Sequence, residues 1–209
     1  MEKEMRRVRK RKFSEDDPSW QGRLVKAGIP ARYWETSIEK IKMPAVREWV
    51  ERQVEDTPQW MGVGRGFYLH GYLNSGKTSI ASILAKDAIK RVETISWVCA
   101  RDITAVMWQK GERAEKMYER LLGCDLLVVD DLGAESQTKA LNPNVGIAFE
   151  QLIRIPYDRE RSVIVTSNVH WLDFIEAYSG DARPLVSVLS RLLTEFAVEN
   201  EQWGGEIVE

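Results

Sequence analysis

After the short apolar run Gly66 to His70 comes Gly71-Tyr72-Leu73-Asn74-Ser75-Gly76-Lys77-Thr78, and then apolar groups recur at Ile80, Ile83, Leu84 and Ala88. The spacing G-x-x-x-x-G-K-[ST], entered from a strand and left through a helix, constrains the fold more than any other stretch. Backbone N–H groups can curl inward around an anion only where side-chain bulk is removed and positive φ is tolerated. Asn74 stands where many such loops have another glycine. Asparagine is among the residues most tolerant of positive φ, so the substitution is physically mild.

A strand before the loop and a helix after it set a pattern that the rest of the chain repeats. "TISWVCA", "CDLLVVDDLG" and "RSVIVTSN" read as further short strands. Helices are predicted at about 44–55, from Lys77 to about Val92, over "RDITAVMWQKGERAEKMYERLLG" with a break at Gly111, and over "NVGIAFEQLIRIPYDRE" stopped near Pro156. "PLVSVLSRLLTEF" reads as a last helix, "TPQWMGVGRG" as a loop and "DDPSWQGRLVKAGIPARYW" as an irregular or briefly helical approach. Short apolar strands alternating with helices imply an α/β fold, a mostly parallel sheet covered on both faces. The expected organisation is a basic tail at 1–23, a lead-in segment and helix at 24–60, one core domain at 61–200 and an acidic tail at 201–209.

With 209 residues, 44% of them apolar, and a net charge of −2, one full-sized core is expected, without global attraction to polyanions. Cys99 and Cys124 have no C-x-x-C spacing, and His70 and His170 lie far apart in sequence, so the sequence predicts reduced thiols and no zinc module. No apolar run approaches the length of a bilayer span, and "FSEDDPSW" follows the basic start where an exported chain would have an apolar segment. A cytoplasmic protein that does not engage membranes is the expectation.

The chemistry-bearing residues fall at the strand ends. Gly71 to Thr78, with Ser79 beginning the helix, would hold the polyphosphate of ATP. Lys77 would reach the β and γ phosphates and the Thr78 hydroxyl would ligate Mg2+. Asp130, at the end of "LLVVDD", can hold Mg2+ directly or through water, and Asp131 can orient an attacking water. If the strand ending in Asn168 lies between the other two motif-bearing strands, Asn168 arrives beside the γ-phosphate. Arg191 sits in an apolar helical segment, either as a surface residue or as a finger to a neighbouring subunit's phosphate.

In order, "AGIPARYWETSIEKI", "GYLNSGKT", "LLVVDDLG", "VTSN" and "SRLL" resemble the DnaC/DnaI-type helicase loaders and the IstB transposition helpers, a branch of the AAA+ ATPases, over about residues 24–198. The resemblance implies a three-layer P-loop AAA+ (ASCE) domain with a parallel five-stranded sheet; where loaders of that family usually carry a substantial N-terminal helicase-binding domain, this sequence departs from the pattern, and a short N-terminal extension and little or no C-terminal lid are the expectation. It implies a homo-oligomer when ATP is bound, a DnaB-type replicative hexameric helicase as partner, and single-stranded DNA. It matches Arg191 to the trans-acting arginine of the family and assigns DNA contact to the segment with Lys110, Arg113, Lys116 and Arg120. There Trp108 or Tyr118 would stack on bases. Glu112, Glu115 and Glu119 interleave with those cations, so a self-paired solvated helix is the competing reading. Competing functions are a transposition helper acting on target DNA with a transposase, a small-molecule kinase, and a binding module in which ATP is only structural. Beyond Arg191 the sequence has no arginine or lysine, so no C-terminal sensor arginine acting in cis is expected.

Overall fold

The computed structural model describes residues 15–91, 94–103, 111–133, 143–170, 172–173 and 183–198. Residues 1–14, Trp108, Lys110, the chain from 199 onward and the side chain of Arg113 lie outside the described residues.

Twelve named elements position the site. They are α1 (Trp20–Ala27), α2 (Pro44–Glu55), α3 (Thr57–Gly62), β1 (Gly66–His70), α4 (Lys77–Ile89), β2 (Ile95–Cys99), α5 (Glu112–Gly123), β3 (Leu126–Leu132), α6 (Pro143–Asp158), β4 (Ser162–Ser167), α7 (Arg183–Leu192) and β5 (Leu193–Ala197). The five strands form one sheet in the order β2-β3-β4-β1-β5. Every pairing is parallel. In such a sheet both faces are covered and alternate residues supply each. Phe67, Leu69, Leu126, Val128 and Ile164 pack toward α1, α2 and α4. Tyr68, Leu127, Val129, Val163 and Val165 pack with Leu121, Phe149, Leu152 and Leu189 of α5, α6 and α7.

Helix α4 is buried along nearly its whole length, because the lead-in segment covers the side turned away from the sheet. The Lys86 ammonium donates to the carbonyls of Trp34 and Thr36, and the Thr36 and Ser82 hydroxyls lie 2.6 Å apart. Tyr33 and Trp34 thus pack against the core, and the Trp34 indole N–H donates to the Ile29 carbonyl. Across the sheet edge Trp49 stacks on Phe196, with ring centroids 3.8 Å apart.

Three local expectations are corrected. "TPQWMG" is helix α3, with Pro58 in its first turn where no amide donor is needed, and Trp60 is buried with its indole N–H on the Gln53 carbonyl. The three glycines that suggested a loop only end it. Helix α6 continues through Pro156 to Asp158, since the proline lies in the last turn and removes a single hydrogen bond there. The last helix stops at Leu192, and Leu193–Ala197 forms the fifth strand. Leu189, Leu192, Leu193 and Phe196 fall at helical spacing, which disguised an edge strand whose own burial does not alternate.

Candidate functional site

Four structural elements converge at the carboxyl end of the sheet. Strand β1 ends at His70, and the chain turns through Gly71 (φ 147°), Asn74 (φ 62°) and Gly76 (φ 94°) before α4 begins at Lys77. Tyr72 and Leu73 project from the loop and Ser75 is buried beneath it. No side chain caps α4 at Gly76, so its first amides face the loop interior, the arrangement that binds anions. A Cβ on Gly71 would lie 2.1 Å from the Val198 carbonyl oxygen, so only glycine fits that approach.

The Lys77 ammonium is folded back onto its own loop, donating to the carbonyls of Gly71 (3.1 Å) and Tyr72 (2.6 Å) and to the Ser75 hydroxyl (3.3 Å). Burial pulls its pKa below the ordinary lysine value, while Asp131 and then Asp130 push it back up. The group is a cation short of solvent, ready to exchange loop carbonyls for a stronger anionic partner.

Asp130, 6% exposed, lies at the carboxyl end of β3. Its Oδ1 accepts hydrogen bonds from the Thr166 hydroxyl at 2.6 Å and the Thr78 hydroxyl at 3.0 Å. Burial raises its pKa above the usual carboxylate range; the hydrogen bonds from Thr166 and Thr78 oppose this, Asp131 adds to it, and Arg32 opposes it. Asp131 is turned outward by an irregularity between Val129 and Leu132 and takes φ 65°. Its backbone N–H donates to the Thr166 Oγ1 at 2.9 Å. The Thr166 hydroxyl therefore fixes the carboxylate of one aspartate and the backbone of the next.

Lys77, Thr78, Asp130 and Asp131 are brought together. Strand β4 lies between β1 and β3, and the exposed Asn168 follows it by one residue on the same edge. Arg191 is elsewhere. It precedes Leu193, which pairs with Gly66 at the start of β1, so the five-residue length of β1, about 13 Å, separates its backbone level from the loop. The exposed guanidinium donates to the Tyr157 hydroxyl at 3.2 Å. Among the expected DNA-facing cations, Lys116 is ion-paired with Glu112 on the same helix, as the solvated-helix reading has it. Arg120 reaches back so that its Nη2 would meet a Cβ on Gly28 at 3.2 Å.

Two residues near the site, Thr166 and Arg32, carry no sequence signal of their own, whereas Tyr33, after Pro30 in the lead-in, is legible as an aromatic that packs on the core or on adenine, with core packing the expectation. In the sequence Thr166 is only part of a polar strand end, Thr166-Ser167-Asn168. Tyr33, in a 3₁₀ turn of the lead-in, stacks on Trp97 with ring centroids 6.4 Å apart. Burial pushes its phenol pKa up; Arg32 pulls it down, Asp130 adds to the rise, and a hydrogen bond with Thr78 opposes it. Arg32 lies over the Tyr33 ring at 4.8 Å and is close enough to Asp130 to act on it electrostatically. No periodicity marks this segment, and some forty residues separate it from the loop it approaches.

A five-stranded parallel sheet in this order, with a phosphate-type loop after β1 and an acidic pair ending β3, defines a P-loop ATP-binding domain of the AAA+ class. The family of IstB-like ATP binding proteins matches residues 34–201, and the chain belongs to it. Among solved structures the chain is similar to DnaI, at TM-score 0.66 and 18% identity over 81% of this chain and 94% of that one. It is equally similar to the DnaC helicase loader, at TM-score 0.66 and 17% identity over 81% and 99%. A replication initiator, DnaA bound to AMPPCP and single-stranded DNA, follows at TM-score 0.62 and 19% identity, covering 80% of this chain and 51% of that one. The uncharacterized protein YdaV of Escherichia coli (strain K12) is 25% identical over 108 residues, half of this chain and 42% of YdaV. The chain thus aligns with less than half of that relative's length. Among the described residues, no helix is long and apolar enough to cross a membrane.

Proposed function

We propose that this protein is an ATP-hydrolysing loader that places a replicative hexameric helicase on single-stranded DNA, assembling on itself when ATP is bound. The observation that carries the catalytic part is the junction of Lys77, Thr78, Asp130 and Thr166 at one end of the sheet. Two oxygen donors, the Thr78 hydroxyl and the Asp130 carboxylate, suit a hard cation, so these residues would hold Mg2+. When bound, Mg2+ supplies charge neutralisation to the β and γ phosphate oxygens.

The chain's own groups divide the remaining work. The loop amides and the α4 N-terminus bind the polyphosphate, and Lys77 leaves its loop carbonyls for the β and γ oxygens. Asp131 and Asn168 orient a water toward the γ-phosphorus. As the water oxygen bonds to phosphorus, the bond to the β–γ bridging oxygen breaks, and the water's proton passes to Asp131 or to the departing phosphate. Since Arg191 sits at the opposite end of β1 from its own loop, it serves a neighbour's γ-phosphate. The cytoplasm is the compartment this role requires.

ATPase activity is therefore expected to rise more steeply than linearly with protein concentration, and Arg191→Ala to remove that rise by a factor of about 10³. A strictly linear response would refute the shared site. The family description and the likeness to DnaC and DnaI support two partners, a helicase for a loader and a transposase for an IstB-like helper. Capture from the native host with ATP-locked protein separates them: recovery of a recombinase in place of a hexameric helicase overturns the loader reading.

A further inference from the structure

The sequence contains two histidines, a hundred residues apart, and the fold brings them together. His70 ends β1, His170 follows β4, and Glu195 lies on β5. The Glu195 Oε1 is 3.1 Å from the Nε2 of His70 and 3.0 Å from the Nε2 of His170. The imidazole rings meet edge to face with centroids 4.9 Å apart. All three ligand atoms lie within 4.8 Å of one another.

From this geometry we infer a binding site for a divalent transition cation of the zinc class, clipped between the end of β1, the segment after β4 and the middle of β5, one residue before the phosphate loop. Two imidazoles and one carboxylate are a borderline-soft ligand set that suits Zn2+ rather than Mg2+ or Ca2+. In a tetrahedral zinc site with bonds of about 2.0–2.1 Å, neighbouring ligand atoms stand about 3.3 Å apart. To admit the ion the two nitrogen–oxygen separations open by about 0.3 Å, and the remaining pair of ligand atoms, up to 4.8 Å apart, closes by up to about 1.5 Å through rotation of the half-exposed side chains. Three protein ligands leave a fourth position for water.

The surroundings hold the ligands in place. The Tyr68 hydroxyl donates to the Val169 carbonyl at 3.0 Å, fixing the backbone beside His170. The Val198 N–H donates to the His70 carbonyl at 2.6 Å, tying β5 to the end of β1. The His170 Nδ1 accepts the Leu172 N–H at 3.3 Å, which places the imidazole proton on Nε2 in the metal-free protein. Metal uptake moves that proton to Nδ1 and gives up the long Leu172 contact. No metal-ligand spacing is legible in the sequence because the three groups come from three separate strands and the segments beside them.

The test uses the full chain without a histidine tag, dialysed against Zn2+ and analysed for bound metal. One Zn2+ per chain is expected, with Tm rising by about 5–10 °C at a hundredfold excess over Kd. His170→Gln is expected to remove binding and Glu195→Gln to weaken it at least tenfold. Both variants change exposed or half-exposed side chains, and circular dichroism checks that they fold. Co2+ in place of Zn2+ is expected to give tetrahedral visible bands without a thiolate charge-transfer band. The inference is overturned by no stoichiometric binding, by unchanged binding in both folded variants, or by a thiolate band that puts the metal on Cys99 or Cys124.

Discussion

Replacing Thr166 by valine removes one hydroxyl at nearly constant shape, which isolates the bond between the two aspartates. Thr166 is 1% exposed; its Oγ1 donates to Asp130 at 2.6 Å and accepts from the Asp131 N–H at 2.9 Å. A hydrogen bond to a buried carboxylate contributes about 1.5–3 kcal/mol, and a backbone donor left without a partner costs about 1 kcal/mol or more. The new methyl group returns at most about 0.8 kcal/mol. The net loss is about 2–3 kcal/mol, which corresponds to about 1 M in the urea midpoint and about 5–10 °C in Tm. Thr166→Ser is the control: it keeps the hydroxyl and loses a methyl group, for about 1 kcal/mol. Urea unfolding followed by tryptophan fluorescence in metal-free buffer measures both. If valine leaves the midpoint unchanged, or if serine is as damaging as valine, the hydroxyl does not organise the acidic pair.

Asp130→Asn tests the cost of the buried charge. Its carboxyl pKa is raised in the folded protein, so the parent loses stability as pH rises through the folded-state pKa and is unpenalised below the ordinary carboxylate value. The asparagine variant, with an oxygen still available to Thr78 and Thr166, is expected to be more stable than the parent at pH 7 without metal and no more stable near pH 3; thermal melts across that range decide it. Gly71→Ala places a Cβ 2.1 Å from the Val198 carbonyl oxygen at φ 147°, so a loss of about 1–3 kcal/mol and weaker ATP binding are expected by calorimetry; unchanged affinity and Tm refute the close approach. Burial pushes the Cys124 thiol up to about 11, leaving about one thiolate in a thousand at pH 8. Iodoacetamide at that pH is expected to label Cys99 in the native protein and Cys124 only after unfolding, as intact-mass and peptide analysis would show; native labelling of Cys124 contradicts its burial.

The parts of this molecule legible in the sequence are those whose constraint is local. The loop from Gly71 to Thr78 was readable because a backbone cradle needs its glycines at fixed offsets, and Asn74 takes the positive φ that its side chain permits. Four strands were readable as apolar runs because a strand buried on both faces has no polar side to interrupt it. The fifth was not, because an edge strand is half exposed and its leucines and phenylalanine fell into helical spacing. The position of β4 between β1 and β3 could be stated only as a condition, since strand order is set by which crossovers close, not by any residue.

The same distinction explains what was hidden around the site. Arg32 and Tyr33 approach Thr78 and Asp130 only because Lys86 and Ser82, on the outer side of α4, hold the lead-in carbonyl and hydroxyl groups of residues 34 to 36. A buried ammonium satisfied by backbone carbonyls leaves no pattern in sequence, yet it decides which segment borders the phosphate loop. His70, His170 and Glu195 meet for a related reason: parallel pairing sets the end of β1 and the segment after β4 beside the middle of β5, whatever their separation along the chain. A parallel sheet therefore gathers chemistry at one edge by topology alone. Arg191, at the opposite end of β1, is the nucleotide-site candidate that this gathering leaves out, and for that reason its proposed partner is a second copy of the chain.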